Sequence, residues 1–120
     1  MGRQPLRYVV LHHEEVPQPH FDFLVEMTPG RELLTWRMPR WPASTGDYCV
    51  RLPDHRNAYL EYEGPVSGDR GFVRRVAAGT CDANFADGLF QAQLDAGDEL
   101  SLVKDSPDQW LCVVVGGRRP

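Results

Sequence analysis

Glycine and proline punctuate this chain throughout: 11 glycines and 10 prolines are scattered along 120 residues and cut it into pieces too short for ordinary helices. The pieces between them alternate as strands do. From His20 to Met27, Phe21, Phe23 and Val25 fall on one face and His20, Asp22, Leu24 and Glu26 on the other, the period of two that marks a half-buried strand. Thr28-Pro29-Gly30-Arg31 has turn composition, and Glu32 to Arg37 answers as a second strand. Arg7–Leu11, Tyr48–Leu52, Ala58–Glu63, Phe72–Ala77, Gly88–Leu94, Leu100–Lys104 and Trp110–Val115 read as further strands, the last two joined through Asp105-Ser106-Pro107-Asp108. The spacing predicts an all-β, compact single-domain β-barrel or sandwich of about eight to nine short, mostly antiparallel strands. The strongest rival for helix is Thr80 to Phe90, where Asn84-Phe85-Ala86-Asp87 has the makings of one turn.

Size and composition agree. Residues 1–120 are expected to form one domain, long enough to bury a core without staples. The apolar fraction of 42% and charged fraction of 25% are those of a globular chain. No apolar run approaches the ~20 residues of a membrane helix, and Met1-Gly2-Arg3-Gln4-Pro5 lacks the apolar segment of a signal peptide. Cys49, Cys81 and Cys112 cannot all pair with one another and show no Cys-x-x-Cys spacing, so they are expected as reduced core fillers in a cytoplasmic protein. A net charge of −4 argues against a protein that coats nucleic acid by bulk electrostatics. A local basic site remains open. The basic residues are twelve arginines and one lysine, Lys104, and arginine suits bidentate phosphate recognition.

Three of the four histidines lie within nine residues: His12, His13 and His20. His20 and Asp22 share a strand face, because they are two residues apart. His12 and His13 end the preceding strand, and a hairpin-like return would bring one of them beside that pair. Two imidazoles and one carboxylate leave coordination positions open, as catalytic metal sites do. The bland alternative is a polar strand face with incidental histidines. The fourth histidine, His55, follows Pro53-Asp54 with Tyr59 four residues on. On spacing alone it reads as a loop residue. Trp36, Trp41 and Trp110 read first as packing residues, with Trp41 the best base-stacking candidate.

These residues resemble a family. Tyr8-Val9-Val10 running to His13, then Pro19-His20-Phe21-Asp22-Phe23-Leu24-Val25-Glu26, is similar to the N-terminal 3′-phosphoesterase domain of bacterial DNA ligase D. Trp36-Arg37-Met38-Pro39-Arg40 resembles its Trp-Ala-Val-Pro-Lys. Pro53-Asp54-His55-Arg56-Asn57-Ala58-Tyr59 resembles its Asp-His segment, and Gly68 and Gly71 match its Gly-x-Tyr-Gly turn. The likeness runs from about Tyr8 to Val115.

The resemblance implies a divalent metal, manganese first with zinc or another transition metal as the alternative, held by His13, His20 and Asp22. It implies catalytic roles for His55 and Tyr59 and phosphate binding by Arg40. The reaction it implies is hydrolytic removal of a 3′-phosphate or 3′-ribonucleotide from nucleic-acid ends during DNA repair, beside a ligase or polymerase partner. A one-residue-longer loop leaves His12 and His13 both in play as ligand. Two family arginines are replaced, by Leu24 and Asp47, and Arg51 is the expected substitute cation. Restoring arginine at 24 or 47 is then expected to raise activity. Two other readings stay open: a catalytically weakened relative that binds metal and a phosphorylated ligand without turnover, and a β-barrel interaction module.

Overall fold

A computed structural model describes residues 4–116, and the described chain is all-β, with no helix long and apolar enough to cross a membrane. Nine strands follow in order: β1 (Leu6–Glu14), β2 (His20–Glu26), β3 (Leu33–Met38), β4 (Tyr48–His55), β5 (Gly64–Pro65), β6 (Phe72–Ala86), β7 (Leu89–Leu94), β8 (Glu99–Lys104) and β9 (Trp110–Val115). All neighbours are antiparallel, in the order β1-β2-β3-β4-β9-β8-β7-β6-β5, and β1 also pairs with β6, so the sheet closes into a barrel-like ring. Within the ring the narrowest seam is β4–β9, which pairs only at Tyr48–Leu111 and Cys49–Trp110.

Two segments differ from the sequence reading. Ala58–Glu63, expected as a strand, instead carries a 3-10 turn over Asn57–Leu60. Its Leu60 is buried and Tyr59 packs beside it, so this segment serves as a cover rather than a ladder. The Thr80–Phe90 stretch does not turn helical at Asn84–Asp87. β6 runs unbroken to Ala86 and pairs through Phe85–Phe90 with β7. β6 is long because it serves three neighbours: Phe72–Cys81 pair with β1, Cys81–Ala86 with β7, and Phe72 and Val73 also with β5. A register shift opposite Val10 and Leu11 leaves Val76 as an extra residue within the part paired with β1, where the strand bends.

The inward face holds the main core, including Phe23, Trp36, Phe90, Leu102 and Trp110. All three cysteines are buried free thiols, as expected. Trp41 is partly buried and stacks on Phe23 at 5.7 Å, so it packs rather than standing free as a platform. The outward face of β1, β2, β3 and β6 is not left to solvent. Val9, Leu11, Leu24, Leu33 and Val73 form a second cluster there, closed by Leu60 from the 3-10 turn. β2 is therefore buried on both faces, and the polar residues at the end of its outward face lie at the margin of an apolar layer.

A candidate metal centre on the outer face of β1 and β2

Hairpin register builds the site. His13 on β1 lies directly opposite His20 on β2, and Leu11 lies opposite Asp22. Directly opposed residues share a face, so His13, His20 and Asp22 converge. A ring nitrogen from each histidine and a carboxylate oxygen lie within 4.8 Å of one another. The two imidazoles meet edge to face at 4.9 Å between centroids. His12 falls on the other face. Its ring stacks on Phe21 at 4.5 Å, and its Nδ1 meets Glu14 Oε2 at 2.7 Å. Of the two adjacent histidines, His13 is the one that joins the group.

Backbone carbonyls fix the rings. His13 Nε2–H donates to the Arg70 carbonyl at 2.7 Å, which leaves Nδ1 with its lone pair free. His20 Nδ1–H donates to the Gln18 carbonyl at 3.0 Å, which leaves Nε2. Such outer partners set the tautomer and aim of metal-binding histidines. His20 Nε2 and Asp22 Oδ1 are both buried, and neither has a hydrogen-bond partner. They stand 3.6 Å apart, too far for a hydrogen bond. Two ligands at ~2.0–2.2 Å from one ion and a tetrahedral angle apart are separated by roughly 3.4 Å. Two orphaned buried ligand atoms at this separation, with the second imidazole, that of His13, beside them, fit a divalent cation.

The electrostatics follow from burial. Asp22 is only 4% exposed. Desolvation pushes its carboxyl above the ordinary range, against the pull of His20, His55 and Arg37. The same burial pushes the His20 imidazole down, towards the neutral form a metal requires.

His55 ends β4 opposite Leu33, and its charge is felt at Asp22. Its Nδ1–H donates to the Pro53 carbonyl at 3.0 Å, leaving Nε2 available. Tyr59 lies against it, ring centroids 5.8 Å apart. The structure thus gathers His13, His20 and Asp22 and sets the His55–Tyr59 pair in their neighbourhood.

The arginines are placed differently from the sequence reading. Arg51 lies opposite Trp36, whereas Arg37, the next residue along β3, lies opposite Asp22. Arg51 therefore faces inward, away from the metal group. Its guanidinium sits 5.2 Å from the Phe85 ring and 5.7 Å from Trp36, and it pairs with Asp54 at 3.0 Å. Cys49, midway between Asp47 and Arg51, is a core residue, and that was the sequence signal for the inward face. Arg40 is engaged by Asp47 at 3.2 Å. Asp47 itself is buried and accepts the Ser44 N–H at 2.9 Å, so it organises the 44–47 turn. Leu24 does share the face of His20 and Asp22, but it is 0% exposed inside the second cluster. An arginine there would bury a charge rather than present one.

The cation that sequence reasoning passed over is Arg37, exposed on β3 and directly across from Asp22. Its alternation against the core residue Trp36 was the available signal. No protein-family model and no curated protein matches the chain.

Proposed function

We propose that the chain is a divalent-metal-dependent phosphoesterase of the ligase D 3′-phosphoesterase type. On this reading it removes a 3′-phosphate or 3′-ribonucleotide from nucleic-acid ends, in the cytoplasm, alongside a ligase or polymerase partner. The observation that carries the reading is the pair of buried, partnerless atoms His20 Nε2 and Asp22 Oδ1, 3.6 Å apart beside His13. His13, His20 and Asp22 would hold the cation, manganese first and zinc as the alternative. A bound divalent ion supplies Lewis-acid stabilisation of a phosphoryl oxygen.

The chain's own residues do the rest. The Gln18 and Arg70 carbonyls hold the two imidazoles in the ligating tautomer. The second apolar cluster excludes water from the floor of the site. On this reading His55 Nε2 would hold or give a proton at the leaving or attacking oxygen, and the Tyr59 hydroxyl would donate a hydrogen bond to the phosphoryl group. The weaker alternative, metal and phosphate binding without turnover, draws on the inward position of Arg51 and the burial of Leu24. Both leave the site with fewer cations than the family pattern has.

The test is incubation with a labelled primer-template carrying a 3′-phosphate, with and without manganese. Manganese-stimulated phosphate release that His20→Ala abolishes is the expected result. Activity no higher than that of His20→Ala would select binding without turnover if metal is still taken up, and the interaction module if it is not.

A further inference from the structure

We propose that Arg37 is the anion-binding cation of the metal site, holding an oxyanion oxygen of a phosphate ester whose neighbouring oxygen faces the ion. This deepens the proposed function and rests on the metal reading of His13, His20 and Asp22. No role for Arg37 follows from the sequence resemblance, which aligns it with alanine.

The placement comes from register. Asp22 and Arg37 are directly opposed on β2 and β3, and opposed residues in an antiparallel pair have Cβ atoms ~4.5–5.5 Å apart on one face. Arg37 is exposed, and its charge acts on both His20 and Asp22. Among the described residues it makes no ion pair and no side-chain hydrogen bond, with Asp22 or with any other group. Of the other arginines near this part of the fold, Arg56 lies over the Tyr59 ring at 5.9 Å, beside His55 rather than across from Asp22, and five more are already committed. Arg40 is paired with Asp47 and Arg51 with Asp54. Arg74 is paired with Glu14. Arg70 donates to the Ser67 carbonyl and Arg75 to the Leu60 carbonyl.

A guanidinium without an acceptor, standing beside a buried carboxylate it does not reach, has its fork of donors free for a ligand. Two chemical facts make that ligand an oxyanion. Guanidinium geometry matches phosphate and carboxylate bidentately. A cation beside a divalent-ion site also opposes metal binding unless a bound anion offsets both charges. The buried Leu24 side chain fills the position from which a family-type arginine would reach in, so the approach is left to β3.

The experiment uses the full chain, titrated by calorimetry first with Mn²⁺ and then, once metal-loaded, with inorganic phosphate. Arg37→Gln is compared with wild type, with Arg37→Lys, and with Lys104→Gln, which removes the same charge from β8 across the ring. Arg37→Gln should bind Mn²⁺ as well as wild type or more tightly, since a repelling charge is gone, and should bind phosphate about tenfold or more weakly. Arg37→Lys should recover part of the loss, and Lys104→Gln should match wild type in both titrations. Retained metal uptake shows that the variant is folded. Undiminished phosphate affinity in metal-loaded Arg37→Gln overturns the role of Arg37 while leaving the metal site standing. A wild-type protein that takes up no Mn²⁺ overturns the metal reading and this inference together.

Discussion

The Arg70 carbonyl reaches His13 Nε2 at 2.7 Å from a loop 57 residues away in sequence, and only the glycine that follows Arg70 permits this approach. A Cβ on Gly71 would lie 2.4 Å from the Glu14 carbonyl oxygen, 2.7 Å from Val16 Cγ1 and 3.2 Å from His13 Nε2, at a φ of +87°. Gly71→Ala is expected to push the loop off β1 and release His13 from its tautomer. Losing an outer partner of a ligating histidine typically costs about 10- to 100-fold in metal affinity. Calorimetric Mn²⁺ titration of Gly71→Ala, with circular dichroism to confirm the β fold, checks this.

Leu24→Arg and Asp47→Arg are the substitutions that sequence resemblance suggests for raising activity, and the structure reverses the expectation for both. Leu24 is wholly enclosed by the second cluster, so an arginine there leaves a buried unpaired charge, with a loss of about 3–5 kcal/mol in a urea melt. Asp47→Ala removes the acceptor for the Ser44 N–H and the partner of Arg40, costing about 1–2 kcal/mol. Asp47→Arg should cost more, since it adds a cation beside Arg40. If Leu24→Arg melted at the wild-type urea concentration, the side chain would have to reach solvent, and the description of the second cluster would be wrong.

The metal group was legible in the sequence because it depends on two short-range rules. Period-two alternation puts His20 and Asp22 on one face, and a hairpin returns β1 alongside β2. Alternation says less about which face points where once a strand is bent or covered. Arg51 and Asp47 do share parity, but that parity leads inward through Cys49 to Trp36 and Phe85. The Asn57–Leu60 turn was unreadable locally, since its apolar spacing also suits a strand. What decides its form is the apolar outer surface of β1, β2 and β3 that needs Leu60 and Tyr59 as a lid. Arg37 was passed over because its meaning lies in cross-strand register with Asp22, which no single segment encodes.

Glu26 supplies a pH-dependent tie between the β2–β3 turn and that lid. Its Oε2 accepts Asn57 Nδ2–H at 2.8 Å and the Gly30 N–H at 2.9 Å. These bonds, Asn57 first, hold its carboxyl below the usual range. A carboxyl with a depressed folded-state pKa adds stability above its unfolded value of ~4.3, and that stability is lost as pH falls through the folded-state pKa. Glu26→Gln should therefore be less stable than wild type at neutral pH, and the gap should narrow below about pH 4. Urea melts of both proteins across acid pH measure the gap, and a constant difference would remove the assignment.

His12 and His13 give the sharpest single comparison, because they are adjacent in sequence and opposite in facing. His13 lies across from His20 with Nδ1 free, whereas His12 is held by Glu14 and stacked on Phe21. If the outer face of β1 and β2 holds the ion, His13→Ala removes a ligand and should abolish tight Mn²⁺ binding. His12→Ala should leave Mn²⁺ affinity within about threefold, because none of its contacts reaches the metal group. It should still lower stability by about 1 kcal/mol, through the lost Glu14 hydrogen bond and the lost stack on Phe21. Glu14 also binds Arg74, so part of its anchorage survives in that variant. Calorimetric titration of the two variants side by side separates the outcomes. Equal loss in both would mean that the β1 end rotates on binding metal, and a loss confined to His12→Ala would transfer the ligand role to the other face of the strand.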